Sequence, residues 1–251
     1  MQPRIILDRE SKQIAYMTIL NNWKIDLTVE EVLRAQAADP DIVKLRRPSL
    51  VDSIKDGIEL GTILIKPQVL YDKYPVGKFV HQRLELVTDA FKNGRAFLSG
   101  QLIADHLAHS QEIIVMVCTI GSELDEMVSS LFKANPVLAV ALDGYGSAAV
   151  EKLSLLACNH FEEIAKKEGL YTTMPLNPGM IGWPLEIGQP EIFVLLDSED
   201  IKVSLTDSCM MKPNKSLSMV IGISKMKSIM GNSCDYCSLQ GVCRYQDHYA
   251  K

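Results

Sequence analysis

The spacing of apolar residues changes period along this chain, and each change marks an element. Val150, Leu153, Ala157, Phe161 and Ile164 recur at intervals of three and four, which places them on one face of an α-helix. The spacing predicts a helix over 147–167. Gly169 should stop it, because glycine takes the left-handed backbone of a helix end without steric cost. The run 113–120 is instead continuous and β-branched, the pattern of a buried strand.

Polar residues mark further boundaries. Thr28 with Glu31 three residues on predicts a capping box. Ser49 with Asp52 predicts another helix start, with Ile54, Ile58 and Leu60 turned inward. Ser99 should cap a short helix ending at Leu107, and Gly121-Ser122-Glu123 should open one carrying Met127, Val128 and Leu131. Residues 62–80 read as extended and broken by Pro67 and Pro75. Asn93-Gly94 marks a turn whose flanks pair as a hairpin. Prolines and glycines crowd 174–190, predicting a loop, and loops of that length are often functional. A short helix over 191–199 should follow. Two strands, 203–211 and 217–224, should then form a hairpin around Pro213-Asn214-Lys215.

Composition narrows the class. With 251 residues, 47% of them hydrophobic, the chain can bury a sizeable core. A net charge of -5 gives no basic face for nucleic acid. The 113–120 run is far short of the ~20 apolar residues that span a bilayer, and charges follow the N-terminus where a signal peptide would be apolar. These features predict a cytoplasmic protein with no membrane or nucleic-acid partner, in a compartment where thiols stay reduced.

Chemistry concentrates in the tail. Cys234, Cys237 and Cys243 fall close together, and His248 follows. Two thiolates separated by two residues can face one ion from a single turn, and their polarizable sulfur suits soft or borderline metals. An iron–sulfur cluster would take a fourth ligand from elsewhere, Cys209 being a candidate, whereas zinc could close its tetrahedron with His248. Cys118 and Cys158 sit in apolar segments and read as small buried hydrophobes. His106 and His109 lack the acidic neighbours of a metal pair, and His160, beside Phe161, reads as a surface or packing residue. Ser208, Ser216 and Ser218 have no His/Asp arrangement around them and should serve in hydrogen bonds.

Several segments carry a family resemblance in order. Leu195-Leu196-Asp197, Leu205-Thr206-Asp207-Ser208 and Met211-x-Pro213-x-x-Ser216-x-Ser218, with Thr119-Ile120-Gly121 and Asp143 through Glu151 upstream, resemble the activation domain of cobalamin-dependent methionine synthase. The match runs from about residue 95 to 224. It implies an α+β fold, a twisted antiparallel sheet flanked by helices, over 1–224, with 225–251 as a cysteine-rich metal-binding tail. It also implies a function: docking on a corrinoid (cobalamin-carrying) methyltransferase subunit and restoring its oxidised cob(II)alamin, with an electron from a reductase or other donor and a methyl group from S-adenosylmethionine. A non-catalytic docking subunit with a structural zinc tail is the competing reading.

By the same resemblance Glu151, Asn177, Gly179 and Trp183 are cofactor-binding candidates. Glu151 would pair with the ligand's amino group. Pro178-Gly179 is similar to the ligand loop, and Trp183 would either lie over the corrin or anchor the loop in the core. Two positions depart from the family. Pro175 stands where it has an arginine for the ligand carboxylate, and Met180 where it has a tyrosine. Proline has no guanidinium fork, so S-adenosylmethionine binding is expected to be weak. An activity that reduces cobalt favours the cluster over zinc in the tail, since zinc has no redox chemistry.

Overall fold

The computed structural model describes residues 6–7, 14–15, 17–88, 94–227 and 233–237. In chain order they form β1 (Ile6–Leu7), β2 (Ile14–Ala15), β3 (Thr18–Leu20), α1 (Val29–Ala35), α2 (Pro40–Arg46), α3 (Pro48–Leu64), β4 (Gln68–Val80), β5 (Arg83–Val87), β6 (Arg95–Ser99) and α4 (Gln101–Leu107). There follow β7 (Glu112–Thr119), α5 (Glu123–Ala134), α6 (Pro136–Lys167), β8 (Tyr171–Thr172), α7 (Leu185–Leu195), β9 (Ser204–Leu205), β10 (Met211–Lys212) and β11 (Ser216–Ser224). None of the described helices is long and apolar enough to cross a membrane.

The main sheet runs β6-β5-β4-β7-β11-β8, with β3 on the β4 edge, and its pairings are antiparallel. β7 lies at its centre, held by β4 on one side and β11 on the other. Both its faces are covered. Ile114, Met116 and Cys118 belong to a core shared with α1, α3, α5 and α6. Ile113, Val115 and Val117 belong to a second core shared with α4, α7 and the β5–β6 hairpin. Side chains alternate between faces along a strand, so a strand covered twice must be apolar throughout. That accounts for the unbroken 113–120 run, and the α+β expectation stands.

α3 packs on α6 at close range. A Cβ on Gly61 would lie 2.2 Å from the ring of Tyr145, and one on Gly57 3.1 Å from the backbone of Ala141. Lacking side chains there, α3 brings its backbone against the aromatic ring, which is fully buried. At α1 the capping box is present: Thr28 Oγ1 accepts from the Glu31 N–H at 3.2 Å, and Glu31 Oε2 from the Thr28 N–H at 2.8 Å.

Several boundaries differ from expectation. α6 begins at Pro136, with Asn135 Oδ1 accepting the Leu138 N–H, so the helix is one 32-residue rod. Ser49 lies inside α3 behind Pro48. Ser99 stays in β6, its N–H bound to Glu191 at 2.9 Å, and Gly100 occupies the α4 N-cap. β4 continues through Pro75, the residue at which it parts from β7. The proline-rich stretch is a loop only up to Pro184. α7 then starts at Leu185 and carries Pro190 inside it, tolerated within a single short helix whose neighbours hold it in place. Finally, 203–211 and 217–224 do not pair. β9 and β10 form their own two-stranded hairpin, and β11 inserts between β7 and β8. The β5–β6 hairpin is present, although Asn93 lies outside the described residues.

Candidate functional site

The second half of α6 turns a polar stripe away from the cores. Glu151, Ser154, Leu155, Cys158, Asn159 and Glu162 line a cleft of about 550 Å³. Their spacing of three and four keeps them on one helical face. The opposite wall is the segment after β8, with Thr172, Thr173, Met174, Pro175 and Asn177, together with Leu217, Met219 and Ile221 of β11. An isolated bridge, Leu176 to Val220, ties that segment to the sheet. The volume falls within the roughly 300–1,000 Å³ of small-molecule sites.

Glu151 is the group most altered by this setting. Burial pushes its carboxyl up to about 7, because a low-dielectric surrounding disfavours the ionised form. Cys158 donates to the Met219 sulfur at 3.7 Å, and burial pushes its thiol up to about 12. Protonated at neutral pH, it acts as a packing residue. Cys118 is buried and shifted the same way.

Three positions singled out in the sequence therefore share this cleft: Glu151, Pro175 and Asn177. The side-chain amide of Asn177 donates to the Ser218 carbonyl at 3.0 Å, and its backbone N–H to the Met180 sulfur at 3.1 Å. Gly179 and Trp183 are not among the cleft-lining residues. Gly179 adopts a left-handed backbone, φ 97°, in the turn before α7. Trp183 is 0% exposed within the second core, the place of an anchoring residue rather than of one lying over a corrin. Ser154, Asn159 and Glu162 went unread. They continue the helical spacing from Glu151 opposite the apolar stripe, a pattern shared with any solvated helix face.

The described part of the tail packs beside the cleft. Ser233 lines it, and a 3-10 turn follows over Ser233–Tyr236. The Tyr236 carbonyl accepts from Ile181 N–H at 2.9 Å, and its ring meets buried His106 edge-on at 4.7 Å. Cys234 lies on this turn and Cys237 directly after it, the Cys237 N–H donating to the Cys234 carbonyl at 3.2 Å. Cys243 and His248 lie outside the described residues. Cys209 is not in a strand; it sits in the β9–β10 turn with φ 59°. Among the described residues, no three of His, Cys, Asp and Glu come together as a metal site.

Other motif residues hold the scaffold. Lys215 bridges to Asp143 at 2.7 Å and to Ser147 Oγ at 2.9 Å, and the Asn214 N–H donates to Asp125 at 2.7 Å. Ser216 bonds Thr119 at 3.0 Å, Ser218 bonds Gln189 at 2.8 Å, and Ser208 pairs with Thr206 at 3.0 Å. The Lys215 and Asn214 contacts fasten the β10–β11 turn to α5 and α6, and the Ser216 and Ser218 contacts tie β11 to β7 and α7. The serines thus serve in hydrogen bonds, and His160 packs between Trp23 and Phe161.

The architecture is an antiparallel sheet covered on one face by a long helix and its partners and on the other by shorter helices. This is the fold of a solved structure, the MetH reactivation domain bound to AdoHcy. The likeness has a TM-score of 0.59 at 14% identity, over 88% of this chain and 83% of that one. No family model matches the chain, and no curated protein matches it in sequence.

Proposed function

We propose that the protein is a reactivation factor for a corrinoid methyltransferase, docking on the corrinoid subunit and supporting reduction of its cob(II)alamin in the cytoplasm. The observation that carries this reading is the fold shared with the MetH reactivation domain along most of both chains. The cleft at Glu151 adds a place for a small ligand, and the bound AdoHcy of that neighbour suggests an adenosyl sulfur compound.

In this reading the chain has two parts, a reactivation-type body over 1–224 and a metal-binding tail over 225–251. Cys234 and Cys237 suit a shared metal centre because the Cys237 N–H to Cys234 carbonyl bond holds them together at one bend of the chain, and Cys243 would supply the third thiolate. An iron–sulfur cluster there would give the low potential, about −400 mV and below, that cobalt reduction demands. A reductase would recharge it.

The test is anaerobic. Protein reconstituted with iron and sulfide, its cluster then reduced with dithionite and the excess removed, is mixed with a corrinoid subunit in the cob(II) state, and the cob(II) paramagnetic resonance signal is followed. The signal should fall with wild-type protein and persist with Cys237→Ser. Protein that takes up zinc but no iron, and still binds the corrinoid subunit without changing the signal, would point to a structural docking subunit instead.

A further inference from the structure

The tail turn borders the cleft at one end and is fastened to the body at the other. Ser233 lines the cleft, and Cys234 follows it in the turn over Ser233–Tyr236. Tyr236 is the fastening. Its carbonyl accepts the Ile181 N–H at 2.9 Å, and its ring packs on the second core, edge-on to the His106 ring at 4.7 Å between centroids. His106 is buried, and neither of its ring nitrogens has a hydrogen-bond partner among the described residues. The imidazole thus meets Tyr236 as an aromatic packing surface.

The loop under Tyr236 is braced. Met180 N–H donates to the Asn177 carbonyl at 3.1 Å, Trp183 N–H to the Met180 carbonyl at 2.9 Å, and Gly179 N–H to the Trp183 carbonyl at 2.8 Å. Leu102 N–H donates to the Gly182 carbonyl at 3.2 Å, and a Cβ on Gly100 would lie 2.7 Å from that same oxygen. Asn177, where this loop begins, also lines the cleft. A molecule in the cleft that touches Ser233 therefore favours the seated turn over arrangements in which the turn has left the body. Ligands shift such equilibria by their differential affinity for the two states, and the coupling is reciprocal. Seating in turn limits access to thiols that open only with the turn.

We propose that Tyr236 is a positioning residue: by seating the tail turn it links occupancy of the cleft to the accessibility of the Cys234 and Cys237 thiols. The inference rests on the cleft being a ligand site, and it holds whichever metal those thiols take.

The probe is AdoHcy, added to the full chain after a chelator has stripped it of metal, with iodoacetamide as the thiol reagent. Mass spectrometry resolved by site should show Cys234 and Cys237 alkylated about fivefold more slowly at saturating AdoHcy, an ordinary strength of coupling between sites. Cys209, in the β9–β10 turn and not among the cleft-lining residues, should react at an unchanged rate. Tyr236→Ala should abolish the protection with the circular dichroism spectrum unchanged. Tyr236→Phe keeps the ring and should keep the protection. If calorimetry shows AdoHcy bound and the wild type gains no protection, or Tyr236→Ala retains it, the linkage is wrong and the cleft remains a ligand site. If AdoHcy does not bind, the cleft reading itself falls, and this inference with it.

Discussion

The two halves of α6 are built to opposite ends. From Pro136 to Val150 the helix is wedged among neighbours on several sides: Ala139, Ala141, Leu142, Tyr145, Ala148 and Ala149 are buried. A Cβ on Gly146 would lie 2.8 Å from Leu124. From Glu151 onward only Leu153, Ala157, Phe161 and Ala165 are buried, and the other side faces the cleft. Small residues in the first half let helices approach, and polar residues in the second keep a space open. One rod thus serves as scaffold at one end and as the wall of a site at the other. A substitution's effect should depend on which half it touches: stability in the first, ligand binding in the second.

The largest effect is expected at the scaffold end. Gly61→Leu would drive a branched side chain into the buried Tyr145 ring, and overpacking of this kind costs about 3 kcal/mol at the upper end of its range. Urea denaturation should show the midpoint falling with little change in slope. A stability unchanged within error would mean that the α3–α6 contact is looser than the geometry indicates.

At the ligand end, Glu151→Gln tests the cost of the buried carboxyl. A carboxyl whose folded pKa is raised, here to about 7 from an ordinary 4.5, binds its proton more tightly in the folded state. Its ionisation therefore erodes stability as pH rises between those values. The glutamine variant should melt higher than wild type at pH 8, and the difference should vanish by about pH 4. A variant that melts lower at pH 8 would identify Glu151 as a structural residue.

Lys215→Met tests the fastening of the β10–β11 turn to the scaffold half of α6. It removes a largely buried ammonium, 13% exposed, from an Asp143 that is 51% exposed. Water can solvate that carboxylate once the lysine is gone, so the loss should be modest, about 1 kcal/mol. The smallest effect is expected from Lys166→Ala. Its pair with Glu162 is exposed, so thermal stability should shift by no more than about 0.5 kcal/mol. A larger loss would mean that water screens the pair less than its exposure indicates.

Local signals were legible wherever one residue type has one physical outcome. Thr28 and Glu31 close a capping box because their side chains reach nearby backbone N–H groups regardless of the remainder of the fold. Gly169, with φ 72°, ends α6 as its freedom at positive φ allows. The central strand announced itself through an apolar run that only double coverage tolerates. The cleft was legible in part. Glu151, Pro175 and Asn177 stand out through the family resemblance, while nothing in the sequence alone distinguishes Ser154, Asn159 and Glu162 from a solvated helix face. A solvated face and a site-lining face share one pattern until the opposite wall is known.

By itself, then, the sequence determined the capping box of α1, the stop at Gly169 and the cysteine spacing of the tail, because these depend on contacts within a few residues, while the antiparallel α+β class was legible only through the ordered motifs of the family resemblance. Tertiary structure decided the rest. It carried α6 back through Gly144 and Gly146 to Pro136, since close packing replaces the helix propensity those glycines lack. It placed β11 between β7 and β8 rather than against 203–211, because burying eight of the strand's nine residues outweighs a short local turn. And it drew Trp183 into the core, where burying a large ring stabilises the fold more than leaving it at the surface.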